Sequence, residues 1–437
     1  MSDDKFYKRL PIYRVLAAVV ILITIAAGTI QQINYTRWGS DTIVFTHAAR
    51  LMLRGQDIVN VPDHYGMFYV YPPLFAFLYI PLAFLPLEAV IVIWNIASAV
   101  LLGWSMTAFY SGMTGRPFFS LPQKTRWTVC FFTALLSARF TMFHLSVGQS
   151  SIVVLALAVL GLVSLSRHKL RSGIAIGLSI IIKILTVPFV FWFLARRNKK
   201  VLAGIVLGCL IGILLPALAV GIKKDFYYHQ QWFDRVLLKN SAEDAESIGI
   251  GNLSIRAQLG RFFLGAPAFG YQGRYYDFTI VQLPPRLIVL IELLLMSMIA
   301  LAIVLYAHRY RSSPSLVSQW GGFALVFSFV PSFSTWTEIN HLVFLVPPYL
   351  YVTHLWYNRL VTDRLFRVLV VLSFVFATLT TKTFLGTFLS RWLTCLGFIM
   401  YGMLFLSAAI FRAASCLGKS PEIETAQQSS IIQKSPG

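Results

Sequence analysis

Charge is scarce in this chain of 437 residues. Asp, Glu, Lys and Arg make up 12% of it, against roughly 25% in soluble domains. Acids are scarcer still: 17 carboxylates stand against 37 basic side chains, for a net charge of +20. So few charges cannot cover the surface of a water-soluble protein of this size, which excludes an ordinary soluble enzyme. Cysteine is almost absent. Cys130, Cys209, Cys395 and Cys416 form no CxxC and no Cys/His cluster, which argues against a disulfide scaffold and a zinc site. The first three lie in apolar stretches and read as small core residues. HExxH, GxSxG and Walker sequences are missing too, so no familiar motif of soluble catalysis is present.

What is abundant is apolar. Hydrophobic residues reach 57% and the mean hydropathy is +0.70. This composition describes a polytopic membrane protein. A basic head (Lys5, Lys8, Arg9, Arg14) precedes an apolar run over 13–30 with no small-residue cleavage site after it. That run reads as a retained first span with the N-terminus in the cytoplasm. Segment 31–87 is then expected outside, with an interfacial helix over 72–87, because Pro81 leaves neither half long enough to cross. Further spans are expected at 88–110, 127–145, 150–166, 201–222, 286–306, 315–332, 341–357, 368–381 and 392–411. Stretch 172–195 lies between two basic clusters, Arg167–Lys169–Arg171 and Arg196–Arg197–Lys199–Lys200. It reads either as a pair of short helices turning near Pro188 or as one ordinary span that inverts every later orientation. Segment 223–285 is expected as an external loop, and the Gln/Ser-rich 412–437 as a disordered cytoplasmic tail. The expected fold is therefore an all-α polytopic membrane domain over 1–411, with about 12 transmembrane helices including the short pair. In this topology most of the +20 falls on the cytoplasmic side, so it points to no nucleic-acid partner.

The expected external side gathers the unusual polar residues. Asp41 opens a helical pattern (Val44, Ala48, Leu51) and is either an N-cap beside the helix dipole or a carboxylate able to take a proton from a hydroxyl. Tyr69-Val70-Tyr71-Pro72-Pro73 is rigid and aromatic: interfacial tyrosines, or the wall of a cavity. Gly148-Gln149-Ser150 reads as a tight helical hairpin. Arg139 and His144 before it either snorkel to the interface or hold an anion. Lys183 sits inside Ile180–Leu185, where a lysine is costly and by default suggests function. It either snorkels or neutralises phosphate. Asn252 and Ser254, followed by Arg256, suit a turn. Ser334–His341 links two spans and carries Trp336, Glu338 and His341 together, a set suited to stacking on a sugar and to acid–base or phosphate contacts.

Taken in order, Ser40-Asp41, Tyr71-Pro72-Pro73-Leu74-Phe75, Gly148-Gln149, Lys183 and Gly251-Asn252-Leu253-Ser254 resemble glycosyltransferase family 87. The resemblance covers most of residues 10–360. It departs where the family often has Ser-Pro-x-Ser-Trp-x-His-His: here Ser332-Phe333-Ser334-Thr335-Trp336 lacks the proline, and Asn340-His341 stands in for the histidine pair at a longer spacing. The resemblance implies a GT-C fold with its active site on the external face of a bacterial inner membrane; the charge pattern puts both termini in the cytoplasm. It implies an inverting transfer of mannose, another hexose or a pentose from a polyprenyl-phosphate donor to a lipid- or glycan-linked hydroxyl. Asp41 matches the family's base. Lys183, Arg139, Arg256 and His341 become candidates for the donor phosphate. Tyr69, Tyr71, Gln149, Asn252, Trp336 and Glu338 become candidates for sugar and acceptor. Membrane lipids are the other expected partners, and no cofactor or metal is expected. The rival reading is a transporter or flippase of a lipid-linked sugar, which would also carry isolated membrane charges.

Overall fold

A computed structural model describes residues 10–35, 40–239, 248–311 and 315–417. The head at Lys5, Lys8 and Arg9, residues Arg37, Trp38 and Gly39, and stretch 418–437 with its expected disorder lie outside the described residues.

In hydrocarbon a chain must satisfy its own N–H and C=O groups, and long apolar runs do so as helices. Helix α1 spans Leu10–Tyr35, α2 Asp41–Leu53 and α3 Pro73–Tyr79, the last continued by a 3-10 turn at Ile80–Leu82. Then come α4 (Leu87–Thr114), α5 (Gln123–Val147), α6 (Ser151–Ser164), α7 (Lys169–Ile182), α8 (Pro188–Ala195) and α9 (Lys199–Leu214). Segment 223–285, expected as a loop, carries much of its own structure. After α10 (Ala217–Val220) come α11 (Ile222–Trp232), a π-helical turn at Phe233–Lys239, and α12 (Ile255–Phe263). A hairpin of β1 (Phe269–Tyr271) and β2 (Arg274–Tyr276) follows, with Gly270 opposite Tyr275. The chain closes with α13 (Pro285–Arg309), α14 (Leu316–Phe329), α15 (Val346–Tyr357), α16 (Arg364–Ala377), α17 (Lys382–Cys395) and α18 (Phe398–Leu417).

Among the described residues seven helical stretches are long and apolar enough to cross a membrane, and eight if the α16–α17 pair, bent by 83°, counts as one span. The protein is an all-α polytopic membrane protein. The expectation of about twelve counted runs that form shorter helices: α6, α15 and α16 have 14, 12 and 14 residues, below the ≈ 20 that match a 30 Å core. α18 continues past the expected end at 411 to Leu417, where Arg412 bonds both carboxylate oxygens of Asp363. Stretch 172–195 is a broken pair, and the break falls at Lys183 rather than near Pro188. Lys183 is extended (φ −156°, ψ 119°). Pro188 instead opens α8, where a missing N–H costs nothing.

Segment Leu316–Phe333 is the centre of the bundle: 83% of its apolar window is buried, against 17% for Ile12–Asn34 and Pro285–Arg309. Two packing devices place the polar residues around it. First, α7 and α9 touch backbone to backbone. A Cβ at Gly173 or Gly177 would overlap the carbonyl oxygens of Val201 or Ile205, and one at Gly204 or Gly208 those of Leu170 or Ile174. This is the small-residue seam of membrane helices, and it fixes the end of α7 at Lys183. Second, Phe45 of α2 meets Phe75 of α3 edge-on at 4.7 Å, and Tyr79 meets Trp94 of α4 at 5.1 Å. These aromatic pairs fasten α2, and with it Asp41, to the bundle.

Candidate active site

Asp41 is the first residue of α2. Ser40 holds the N-cap position with extended backbone, yet its side chain makes no cap bond; its carbonyl receives Ile43 N at 2.9 Å. The Asp41 carboxylate accepts instead from Gln149 Nε2 at 3.0 Å. Gln149 follows Gly148, which ends α5 in the left-handed region at φ +69°. A Cβ there would overlap Thr42 Oγ1 and Gln32 Nε2, two groups that already bond each other at 2.6 Å. Only glycine lets α1, α2 and the α5–α6 turn meet at one point.

The Gln149 amide has one compatible orientation. Its Oε1 accepts from the Tyr71 hydroxyl, from Ser150 N at 2.8 Å and from Ser150 Oγ at 3.1 Å. The amide NH₂ therefore faces Asp41. Tyr71 OH also accepts from Lys183 Nζ at 3.3 Å, and Nζ lies 5.0 Å from the centre of the Tyr71 ring. Lys183 reaches Ser151 Oγ at 3.4 Å and His341 Nε2 at 2.7 Å. A continuous chain thus runs Asp41, Gln149, Tyr71, Lys183, His341, drawn from five separate parts of the sequence. Beside it Glu338 accepts from Trp336 Nε1 at 2.9 Å and from Asn340 Nδ2 at 2.6 Å.

Asp41 keeps partial exposure, while Tyr71, Gln149 and His341 are buried. Burial is the largest influence on the Asp41 carboxyl and pushes it up; the negative charge of Glu338 adds to this, and Lys183 opposes it. The result stands at about 7, the range in which a carboxylate serves well as a general base near neutral pH. The His341 ring is held well below its ordinary value by burial first and Lys183 second. The ring is therefore neutral, with Nδ1 beside Glu338 N at 3.3 Å and Nε2 beside the lysine.

The other expected site residues have the following partners. Arg139 donates to Ala377 O and Thr380 Oγ1, both at 2.8 Å. Arg256 pairs with Glu292 at 2.6 Å, both side chains buried. Tyr69 staples the start of α3, donating to Pro72 O and accepting from Ala76 N. Asn252 donates to Thr335 O at 3.1 Å and accepts from Thr337 N at 3.1 Å, so it holds the loop that presents Trp336 and Glu338. Trp336 itself is 40% exposed. His144 is buried, with Nδ1 3.4 Å from Asn340 O. Ser151 was not singled out from sequence, and Asn340 only as the residue beside His341 where a histidine pair often stands. A Ser-Ser pair at the head of an apolar run is a helix-start signal that marks Ser151. Among the described residues no group of three or more His, Cys, Asp or Glu is placed to hold a metal ion.

Two comparisons bear on this arrangement. The family model of glycosyltransferase family 87 matches residues 69–330, more than half of the chain. A polyprenol-phosphate-mannose-dependent α-(1-2)-phosphatidylinositol mannoside mannosyltransferase of Mycobacterium tuberculosis is 25% identical over 214 residues, which are 45% of this chain and 50% of that protein. The chain thus matches about half the length of this curated relative. The family interval contains Tyr71, Gln149 and Lys183. It begins after Asp41 and ends before Glu338 and His341.

Proposed function

Because the chain belongs to glycosyltransferase family 87, we propose that it transfers a sugar from a polyprenyl-phosphate donor to a hydroxyl on a lipid- or glycan-linked acceptor. The observation that carries this reading is the chain from Asp41 to Lys183: a base and a cation joined through Gln149 and Tyr71. The donor has two ends that need different help. Its phosphate requires positive charge, and the incoming hydroxyl requires a proton acceptor.

The reaction is a single displacement with inversion. The acceptor oxygen attacks the anomeric carbon while Asp41 takes its proton. The bond from that carbon to the phosphate oxygen breaks, and its electron pair leaves with polyprenyl phosphate. Negative charge grows on that oxygen, and Lys183, backed by His341, stabilises it more in the transition state than in the ground state. Phosphate leaves as a stable anion, so the scheme calls for no metal. Trp336 offers a face for the sugar, and Glu338 beside it an acceptor for sugar hydroxyls. Mannose is the first donor to test, given what the relative uses. In this reading the site faces the outside of a bacterial inner membrane, with both termini in the cytoplasm.

The test is reconstitution. Purified protein in proteoliposomes is given polyprenyl-phosphate mannose, or the arabinofuranose counterpart, with a lipid extract as acceptor. The products are read by mass spectrometry. The expected result is a glycosylated lipid, absent with Asp41→Asn. Translocation of the intact donor across the bilayer, with no new glycosidic bond, would replace this reading with a transport one.

A further inference from the structure

A second site lies at the far end of the helix that leads to Gln149. On α5, Lys124, Thr128, Phe132 and Leu135 recur at helical spacing and form one wall of a cavity of 1190 Å³. On α16, Arg367, Val370, Val371 and Phe374 form another wall with the same periodicity. Both helices begin at the mouth, at Gln123 and Arg364. The cations therefore stand at the entrance and the apolar side chains line the depth. Lys124 is 23 residues before Val147, or ~35 Å at 1.5 Å per residue. The mouth thus sits at the opposite end of the bundle from Asp41.

Deeper in, the same two helices are joined directly. Thr378 Oγ1 donates to Leu136 O at 2.7 Å, and Arg139 holds Ala377 O and Thr380. Toward the mouth they part, and the cavity fills the gap. Among the described residues no carboxylate lines it; nearby Asp363 is engaged by Arg412 and by Phe366 N. Arg359, also at the mouth, has φ +55°. A glycine or asparagine would suit that left-handed position better, yet it carries a long cationic side chain.

The volume exceeds the ~300–1,000 Å³ of small-molecule pockets and far exceeds a free phosphate. Basic entrance and apolar depth match one ligand class. We propose that this cavity holds an anionic glycerophospholipid. Its phosphate lies among Lys124, Arg359 and Arg367, and an acyl chain runs along Phe132, Leu135 and Phe374. The lipid closes the α5–α16 gap from the end opposite to the catalytic chain.

The experiment is lipid retention by the full-length protein. Protein purified in mild detergent is extracted and its phospholipid identified by mass spectrometry. Its thermal unfolding is followed with added phosphatidylglycerol, phosphatidylcholine or inorganic phosphate. Retention of phosphatidylglycerol and stabilisation by it alone are expected. The double variant Arg359→Gln/Arg367→Gln should lower retention about tenfold or more, and Val371→Trp should lower it by filling the cavity. Equal retention of both lipids, unchanged in either variant, would mark ordinary boundary lipid and overturn the proposal. Stabilisation by inorganic phosphate to the same extent would reassign the mouth to a free anion. Lipid binding that appears only after residues 2–9 are removed would mean that the chain's own N-terminus occupies the cavity, which also overturns it.

Discussion

Lys183 Nζ stands 2.7 Å from His341 Nε2, across 158 residues of chain. Two full positive charges at that distance would repel strongly, so one partner must be neutral. Burial makes it the histidine. Lys183 is left as the cation of the site, with protons directed at Tyr71 and Ser151. A phosphate entering the site would compete for those protons.

Asp41→Asn should lower turnover roughly 100- to 10,000-fold, the range for removing a general base, without loss of thermal stability. The folded state holds the Asp41 proton more tightly than the unfolded chain does. Its stabilising contribution is therefore fullest below the usual carboxylate range and is lost as pH climbs through about 7. Asparagine mimics the neutral form, so above neutral pH the variant should unfold at the same temperature or higher. Scanning calorimetry alongside turnover checks both.

The same carboxyl sets a pH profile. Base catalysis needs the ionised form, so kcat/KM should rise with pH through about 7. Glu338→Gln removes a negative neighbour that raises the carboxyl, and should move the rising limb to lower pH. A limb that stays in place would remove Glu338 from the site's electrostatics.

Gln149 is a positioning residue. Gln149→Leu takes away the Asp41 contact and strands the Tyr71 hydroxyl. Turnover should fall roughly 10- to 100-fold with a small change in KM, as expected from misplacing a base. Gln149→Asn should recover little, because its shorter arm cannot span both partners. A large KM change with kcat intact would make Gln149 a binding group instead.

Lys183→Ala should cost roughly 100- to 1,000-fold in kcat/KM for the lipid-linked donor, the scale for losing one charge stabiliser. The KM for the acceptor should stay near its original value. Steady-state kinetics with each substrate varied in turn decides this, and an effect confined to the acceptor would overturn the assignment.

Arg256 offers a contrast. Its bond to Glu292 is buried, and removing one partner of such a pair costs roughly 3–5 kcal/mol of stability. Arg256→Met should therefore lower the unfolding temperature, and the double change with Glu292→Leu should restore much of it. Loss of donor affinity in the double variant, with stability restored, would return Arg256 to the phosphate site.

The membrane architecture was legible because apolar runs and proline positions act locally. The broken pair at 172–195 was visible in its length and flanking charges. Its break was assigned to Pro188 because proline is the visible helix breaker, whereas the backbone turns at Lys183. Asp41, Gln149 and Lys183 stood out as polar residues in apolar surroundings, and the structure joins them. Arg139 and Arg256 stood out for the same reason but bond to structural partners. A sequence shows that a buried charge needs a partner without showing which one. Asn340 was visible only as the neighbour of His341, since its bond to Glu338 depends on a local turn.

The glycine seam between α7 and α9 has one more consequence. A joint built without side chains has no rotamers to freeze, so forming it costs little side-chain entropy. It also leaves no gap for a lipid tail or a water molecule to enter. Heat loosens a protein first where many conformations can be gained, and this seam has few to offer. The end of α7 that sets the site's cation should therefore be among the last parts of the bundle to lose its register on warming.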